Sequence, residues 1–152
     1  MKISLVCTLS MLVAFALCMN ACNKGNNVKN ISAYNKTESH NMGRNCMDCH
    51  KSGGEGEGWF QVAGTVYTSS FSTTYPNSTV YLYTGPNGTG TLKYTVQVDG
   101  KGNFYTTESI DFGSGLYPAI KGNTTTHYMS TVTSTGQCNS CHGVSNDKMF
   151  AQ

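Results

Sequence analysis

The fold class is decided by residues 78–106, which read STVYLYTGPNGTGTLKYTVQVDGKGNFYT. In TVYLYT and LKYTVQV, apolar residues alternate with polar or amphipathic ones, which is typical of strands with one buried face and one wet face. The segments TGPNGTG and VDGKGN supply the turns, because Asn-Gly and Asp-Gly tolerate the positive φ angles that tight hairpins need. Consecutive hairpins of this kind predict antiparallel β structure.

The same strand signals continue on both sides, from about residue 59 to residue 135. Short runs rich in Val, Tyr, Thr and Phe are separated by Gly, Pro and Asn, and helical periodicity is almost absent. The predicted strands lie near residues 61–67, 79–83, 91–98, 103–107, 117–121 and 127–132. Strands at this spacing predict a mainly β protein built as a small antiparallel β-sandwich.

A resemblance to a known fold family rests on three segments, VAGTVYTS, STVYLYTG and VDGKGNFYT. In this order they resemble the V-x-G-x-V strand, the V-x-L strand and the D-x-x-G-x-F hairpin of transthyretin-like or carboxypeptidase-regulatory-like sandwiches. The resemblance implies a transthyretin-like or Ig-like scaffold. Because such domains mostly serve as structural or interaction modules, the chemistry is expected at the two ends of the chain.

Both ends carry the motif C-x-x-C-H, within GRNCMDCHKSGGEG at residues 43–56 and GQCNSCHG at residues 136–143. A c-type haem needs two thiols that add to its vinyl groups and an adjacent imidazole that binds the iron, which is the chemistry of this motif. The motifs predict two covalently attached haem c groups and proximal iron ligands. The residues are Cys46, Cys49 and His50 before the β region, and Cys138, Cys141 and His142 after it.

Two other kinds of site use the same residue types and stay open as alternatives. Zinc sites usually place their Cys-x-x-Cys pairs about 12 to 20 residues apart, whereas 88 residues lie between Cys49 and Cys138. Distant segments could still assemble a zinc site, but zinc does not explain a histidine after both pairs. A thioredoxin-type disulfide expects the pair at a helix start beside a βαβ unit, and the sequence predicts no such unit.

The remaining histidines predict the distal iron ligands. The chain has four histidines, and two of them belong to the motifs, which leaves His40 upstream of the first motif and His127 upstream of the second. Met129 competes with His127, and Met42 and Met47 are weaker competitors whose other role is packing. Bis-histidine ligation gives low reduction potentials and blocks oxygen and peroxide from the iron, which favours electron transfer over catalysis.

A second resemblance covers both ends and the first strand. HNxGxxCxxCH followed by AGTVY, together with CNSCHG, resembles segments of small multihaem c-type cytochromes from bacteria that respire extracellular acceptors. It implies haem attachment at the four motif cysteines and axial ligation by His50 and His142. The expected function is a non-enzymatic relay of single electrons between redox partner proteins. A haem-bearing assembly module docked on a larger complex and a small haem peroxidase are the alternatives.

The first residues predict export. Lys2 precedes an apolar run over residues 3–17, which as a helix would be about 22 Å long, short of the roughly 30 Å that a lasting span must cross. Residues 1–21 are therefore interpreted as a signal peptide. MNAC resembles a bacterial lipobox, so Cys22 is expected to carry lipid and attach the protein to a membrane, in the periplasm or at the cell surface. Ordinary cleavage nearby, which would leave an unpaired thiol, is the alternative.

The remaining organisation follows from composition. Residues 22–39 are polar and are expected to form a solvated tether; residues 40–58 hold the first haem-binding segment and a flexible Gly-rich linker; residues 59–135 form the sandwich; residues 136–152 form the second haem-binding segment. Without Lys2, nine basic residues face eight acidic ones, so no field attracts nucleic acid. Self-association and the distance between the haems are left open by the sequence.

Overall fold

The computed structural model describes residues 27–152. The signal peptide over residues 1–21 and the lipid site at Cys22 lie outside the described residues, so both stay predictions. In the part of the chain that is described, no helix is long and apolar enough to cross a membrane.

Within residues 27–152, six strands form two antiparallel sheets, which confirms the mainly β prediction. The strands are β1 (Val62–Thr65), β2 (Thr79–Tyr83), β3 (Leu92–Gln97), β4 (Asn103–Thr106), β5 (Tyr117–Lys121) and β6 (Thr126–Tyr128). One sheet pairs β1 with β4, and the other has the order β3-β2-β5-β6. The predicted strand positions agree closely, although β6 ends earlier because the chain turns away and then pairs Thr133 with Leu116. The transthyretin-like assignment stays a prediction.

Both predicted turns form, but only the first joins a hairpin, because β2 pairs with β3 whereas β3 and β4 lie in different sheets. Between β2 and β3, Asn87 and Gly88 have φ angles of 55° and 74°, as the Asn-Gly pair predicts. Between β3 and β4 the positive φ falls on Gly102, at 87°, and not on the Asp-Gly pair. There the buried carboxylate of Asp99 accepts hydrogen bonds from the N–H groups of Lys101 and Asn103 at 2.9 and 3.0 Å. The side chain of Asp99 therefore closes this turn.

The main apolar core joins the two sheets. Its buried members come from every strand except β6 and from the connecting segments, and they are Val62, Val66, Val80, Leu82, Val96, Val98, Phe104, Leu116, Ile120 and Ala151. Gly64 on β1 makes room for this core, since a Cβ there would lie 2.6 Å from Cζ of Phe104 and 2.7 Å from Cε of Met149. The glycine of the V-x-G-x-V pattern thus lets the Phe104 ring cross β1.

The opposite face of the β1–β4 sheet is buried as well. Ala63 on β1 and Tyr105 on β4 form a second small apolar cluster with Phe60, and Cys46 and Met47 pack against it. All four residues of β1 are therefore buried, because the main core covers one face and the first cysteine motif covers the other. This small sheet brings the core and the motif together.

We expect Leu82→Ala to lower the free energy of unfolding by about 2–5 kcal/mol. Leu82 lies in the main core with 2% of its surface exposed, so the shorter side chain would leave a cavity. Leu92→Ala is the matched control, because Leu92 is 43% exposed on β3 and should change stability by less than about 0.5 kcal/mol. Urea unfolding of both variants tests this, and equal losses would contradict the placement of the core.

The segment over residues 27–39 differs from the predicted solvated tether. Ile31 bridges Thr106 at the free edge of β4, and the hydroxyl of the buried Ser32 donates a hydrogen bond to the Gln97 carbonyl at 2.5 Å. The N–H of Asn35 donates to Oδ1 of Asn77 at 2.8 Å. Polar composition predicted solvation, but these hydrogen bonds tie the described part of the segment to the β domain.

Candidate functional site

The two C-x-x-C-H motifs adopt the same backbone conformation. We call the 3-10 turns Cys46–Asp48 and Cys138–Ser140, each with the Cys-His pair that follows, the first and second motif turns. In each turn the carbonyl of the first cysteine accepts hydrogen bonds from the N–H of the second cysteine at 3.3 Å and of the histidine at 3.0 Å. The two motifs have the same residue spacing, and their turns have the same hydrogen-bond geometry.

Both motif histidines have the same ring nitrogen engaged. Nδ1 of His50 lies 2.8 Å from the Glu57 carbonyl oxygen, and Nδ1 of His142 lies 2.7 Å from the Asp147 carbonyl oxygen. A carbonyl oxygen only accepts hydrogen bonds, so in each neutral imidazole Nδ1 carries the proton and Nε2 keeps its lone pair. A backbone carbonyl on Nδ1 is a common way to orient a metal-binding histidine. Both rings are therefore prepared to bind a metal through Nε2.

The Gly-rich segment after the first motif is folded around His50, in contrast to the flexible linker that its composition predicts. The N–H of Gly56 donates to the Cys49 carbonyl, and the N–H of Phe60 donates to the His50 carbonyl, both at 3.0 Å. A Cβ on Gly56 would lie 2.7 Å from Cγ and Nδ1 of His50. Glycine is needed here for close approach to the imidazole, and the first motif is firmly coupled to β1.

We expect Gly56→Ala to destabilise the fold by about 1–3 kcal/mol, the usual cost of overpacking, and to displace the His50 ring from the Glu57 carbonyl. Gly53→Asn is the control, because no atom lies within 4 Å of a Cβ built there and φ is +73°, an angle that Asn tolerates. Urea unfolding and the ¹⁵N shifts of the His50 ring measure the two effects. Unchanged ring shifts in Gly56→Ala would contradict the close packing.

His40 faces His50 beside the first motif turn. The ring centroids are 5.9 Å apart and the ring planes are inclined by 38°. The two imidazoles are close enough that both could hold one haem iron beside the first motif turn.

A cavity of about 430 Å³ opens beside this pair, within the range of roughly 300–1,000 Å³ that is usual for cofactor sites. It is lined by the first motif cysteines and by both histidines, so the structure brings Cys46, Cys49, His50 and His40 together. These side chains include two thiols that could attach a haem and two imidazoles, of which a haem iron requires at least one.

An aromatic stack supports the His50 ring. Phe60 stacks on His50 with centroids 4.1 Å apart and planes inclined by 10°, and Tyr105 stacks on Phe60 at 4.8 Å. Burial raises the pKa of Tyr105, and the neighbouring ionisable groups of Asp99, Glu38 and Cys46 raise it further. Tyr105 therefore stays neutral at physiological pH, and His50 has an apolar wall on one side.

The second motif turn lies directly beside the first, which the sequence could not establish. The side-chain amide of Asn45 donates to Oε1 of Gln137 at 3.1 Å, and Nδ2 of Asn139 donates to the Arg44 carbonyl at 3.0 Å. The residue before Gln137 also accepts a 2.9 Å hydrogen bond from the N–H of Ala63 on β1. Both motif turns are thus held at one site, on β1.

The first cysteine of each motif turn has a raised thiol pKa. Burial raises the pKa of Cys46, with a further contribution from Asp48. Burial and the neighbouring Cys46 raise the pKa of Cys138 to about 12. Redox-active Cys-x-x-Cys pairs show the opposite shift, because their nucleophilic cysteine must be a thiolate at neutral pH. These thiols therefore lack the electrostatics of a thioredoxin-type site.

The second predicted distal ligand, His127, lies on β6. Its ring centroid is 4.3 Å from that of Phe150, and its Nε2 is 3.3 Å from the Thr125 hydroxyl. Within residues 27–152 the ring contacts of His127 include Phe150 but not His142. The structure pairs a second histidine with His50 and not with His142, so ligation by His127 stays a prediction.

The three methionines predicted as competing ligands have other surroundings. The backbone N–H of Met129 donates to the Pro118 carbonyl at 2.9 Å, next to β6. Met42 is 48% exposed, and Met47 packs against the small cluster of Phe60 and Ala63. Packing is thus the visible role of Met47.

Among residues 27–152, no three His, Cys, Asp or Glu side chains are grouped closely enough to hold a metal ion. A haem iron takes four ligands from the porphyrin and requires one or two axial side chains from the protein. The histidine pairing described above is therefore compatible with haem iron without such a group.

Several residues at the site were missed from the sequence. Phe60 and Tyr105 read as ordinary strand residues, and Thr65 and Asn139 carry no local signal for the hydrogen bonds that they make. Only Asn139 could have drawn attention, because it lies between the two cysteines of the second motif; its burial is visible in the structure alone. Comparisons of the chain with protein-family models, with curated proteins and with solved structures found no significant match.

Proposed function

We propose that the protein is a dihaem c-type cytochrome that passes single electrons between redox partner proteins. The observation that carries the proposal is the repeated geometry of the two motif turns, in which the Nδ1 atoms of His50 and His142 are held by backbone carbonyls at 2.8 and 2.7 Å. Neither a zinc site nor a disulfide requires that a histidine follow each Cys-x-x-Cys pair with its Nδ1 held by a backbone carbonyl. Covalent haem attachment requires it at each motif.

Haem c, when bound, supplies one-electron oxidation and reduction at its iron. The protein's own residues would hold and shield it. The four motif cysteines would form thioethers, and His50 and His142 would bind iron through Nε2. His40 would complete the first iron site and exclude small ligands from it. Phe60 and Tyr105 would fix the His50 ring and keep water from one side of it.

The setting of this proposal comes from the first residues of the chain. A signal peptide over residues 1–21 and a lipid on Cys22 would place the protein outside the cytoplasmic membrane, in the periplasm or at the cell surface. Export agrees with haem attachment, because c-type maturation takes place in that compartment. The partners would be other redox proteins, and the weak net charge of +2 gives no reason to expect nucleic acid.

The test is to produce the full chain together with the cytochrome c maturation machinery. Intact-protein mass spectrometry should give the mature chain, two haem masses and a diacylglyceryl adduct. Low-spin spectra that change reversibly on reduction would support electron transfer over a peroxidase. Colourless protein with four free motif thiols, or protein that holds zinc, would overturn the proposal.

A further inference from the structure

Four buried polar side chains connect the two motif turns through the β1–β4 sheet. They are Ser39, Thr65, Asn103 and Asn139, and each exposes 7% or less of its surface. We call them the polar node. Ser39 precedes His40, Thr65 ends β1, Asn103 begins β4 and Asn139 lies within the second motif turn. Burying a polar side chain costs desolvation free energy unless each of its polar groups has a hydrogen-bond partner.

The hydroxyl of Thr65 is the centre of the polar node. It donates a hydrogen bond to Oδ1 of Asn103 at 2.6 Å. It accepts hydrogen bonds from the N–H of Gly43 at 2.9 Å and from Nδ2 of Asn139 at 3.1 Å. A hydroxyl has one donor and two lone pairs, so its capacity is fully used. The hydroxyl therefore holds Asn103, Gly43 and Asn139 in defined directions as well as at defined distances.

The two asparagines extend the polar node to both motif turns. Oδ1 of Asn139 accepts from the Thr65 N–H at 3.1 Å, and its Nδ2 also donates to the Arg44 carbonyl at 3.0 Å, just before the first motif turn. Nδ2 of Asn103 donates to the Ser39 hydroxyl at 2.9 Å and to the His40 carbonyl at 3.4 Å. Every amide group of the two asparagines has a partner, so the network behaves as one rigid unit.

We propose that the polar node positions the two motif turns relative to each other, and thereby sets the electronic coupling between the two haems. This inference rests on the proposed function. Apolar side chains could fill the same space. Unlike hydrogen bonds, however, they would not fix the orientation of the four chain segments relative to one another. Positioning of a site to within about 0.5 Å depends on such supporting hydrogen bonds. Thr65, Asn103 and Asn139 are positioning residues, since they act through the motif turns.

Thr65→Val tests the proposal, because valine keeps the shape of threonine and removes the hydroxyl. The measurement is the exciton couplet in the Soret circular dichroism of fully loaded protein, which depends on the relative orientation of the two haems. We expect the couplet to fall by about twofold or more in Thr65→Val as the motif turns loosen by about 1 Å. Thr65→Ser keeps the hydroxyl and should restore the wild-type couplet.

Thr106→Val is the matched control. Thr106 is a buried threonine of the same small sheet, but its hydroxyl accepts a hydrogen bond from the N–H of Glu108, at 3.0 Å, on the segment that follows β4. Thr106→Val should lower the free energy of unfolding without changing the Soret couplet. Asn139→Leu provides a second variant if Thr65→Val does not fold, and the same reduction is expected there.

Only protein with two haems by intact mass enters the comparison, so wild-type protein that fails to bind two haems counts against the proposed function and not against the polar node. Wild-type couplets in Thr65→Val and Asn139→Leu, each carrying two haems, would overturn the inference. A reduced couplet in Thr106→Val equal to that in Thr65→Val would also overturn it, because the effect would then follow general stability.

Discussion

Replacing both Cys138 and Cys141 with serine is expected to leave a protein that carries one covalent haem instead of two. A serine hydroxyl does not form the thioether, so the second motif turn loses its attachment chemistry. The first motif turn keeps its own two thiols and His50, held by the Glu57 carbonyl. Intact-protein mass spectrometry of chain produced with the maturation machinery should show a loss of one haem mass.

The reciprocal variant, in which Cys46 and Cys49 become serine, should also retain one haem. Ser140→Ala is the control for the second motif turn, because Ser140 lies between its cysteines and supplies no thiol; its hydroxyl donates to the Gln137 carbonyl at 2.6 Å and lies 3.8 Å from Sγ of Cys141. This control should keep two haems. Two haem masses in either double variant, or a complete loss of haem in both, would show that the motif turns do not act as independent attachment sites.

Replacing His40 is expected to change the spectrum and potential of one haem. In His40→Ala one iron should become high-spin and bind carbon monoxide, because the ring that faces His50 at 5.9 Å is removed. In His40→Met the corresponding reduction potential should rise by about 0.1 V or more, since methionine ligation raises potentials and axial ligands span about 0.8 V. Redox titration and electron paramagnetic resonance measure both effects.

His127→Ala separates the two predicted distal ligands. If His127 binds the second iron, its removal should give a high-spin signal that adds to that of His40→Ala. If its role is the contact with Phe150, at 4.3 Å between the ring centroids, the spectrum should stay as in the wild type.

Low-spin signals from both irons in His40→Ala would contradict ligation by His40.

The strands and the two C-x-x-C-H motifs on which the proposed function rests were readable from local sequence. Alternation in TVYLYT and LKYTVQV depends on neighbouring residues only, and β2 and β5 begin and end where the pattern predicts. The Asn87-Gly88 turn is similarly local. C-x-x-C-H is a local motif as well, because the thiols and the imidazole must reach the same ring. The hydrogen bond by which the Glu57 carbonyl orients His50 could not be predicted, because Glu57 lies in a Gly-rich segment, which is typical of a flexible connector.

By itself, then, the sequence determined that the protein is mainly β and that each end carries a complete C-x-x-C-H motif. The tertiary structure decided that the motif turns lie side by side, that His40 faces His50, and that Thr65 and Asn139 join the two turns. The reason is the range of the interactions. Asn139 and Arg44 are 95 residues apart, and no periodicity of either segment encodes a contact that exists only after β1 has paired with β4.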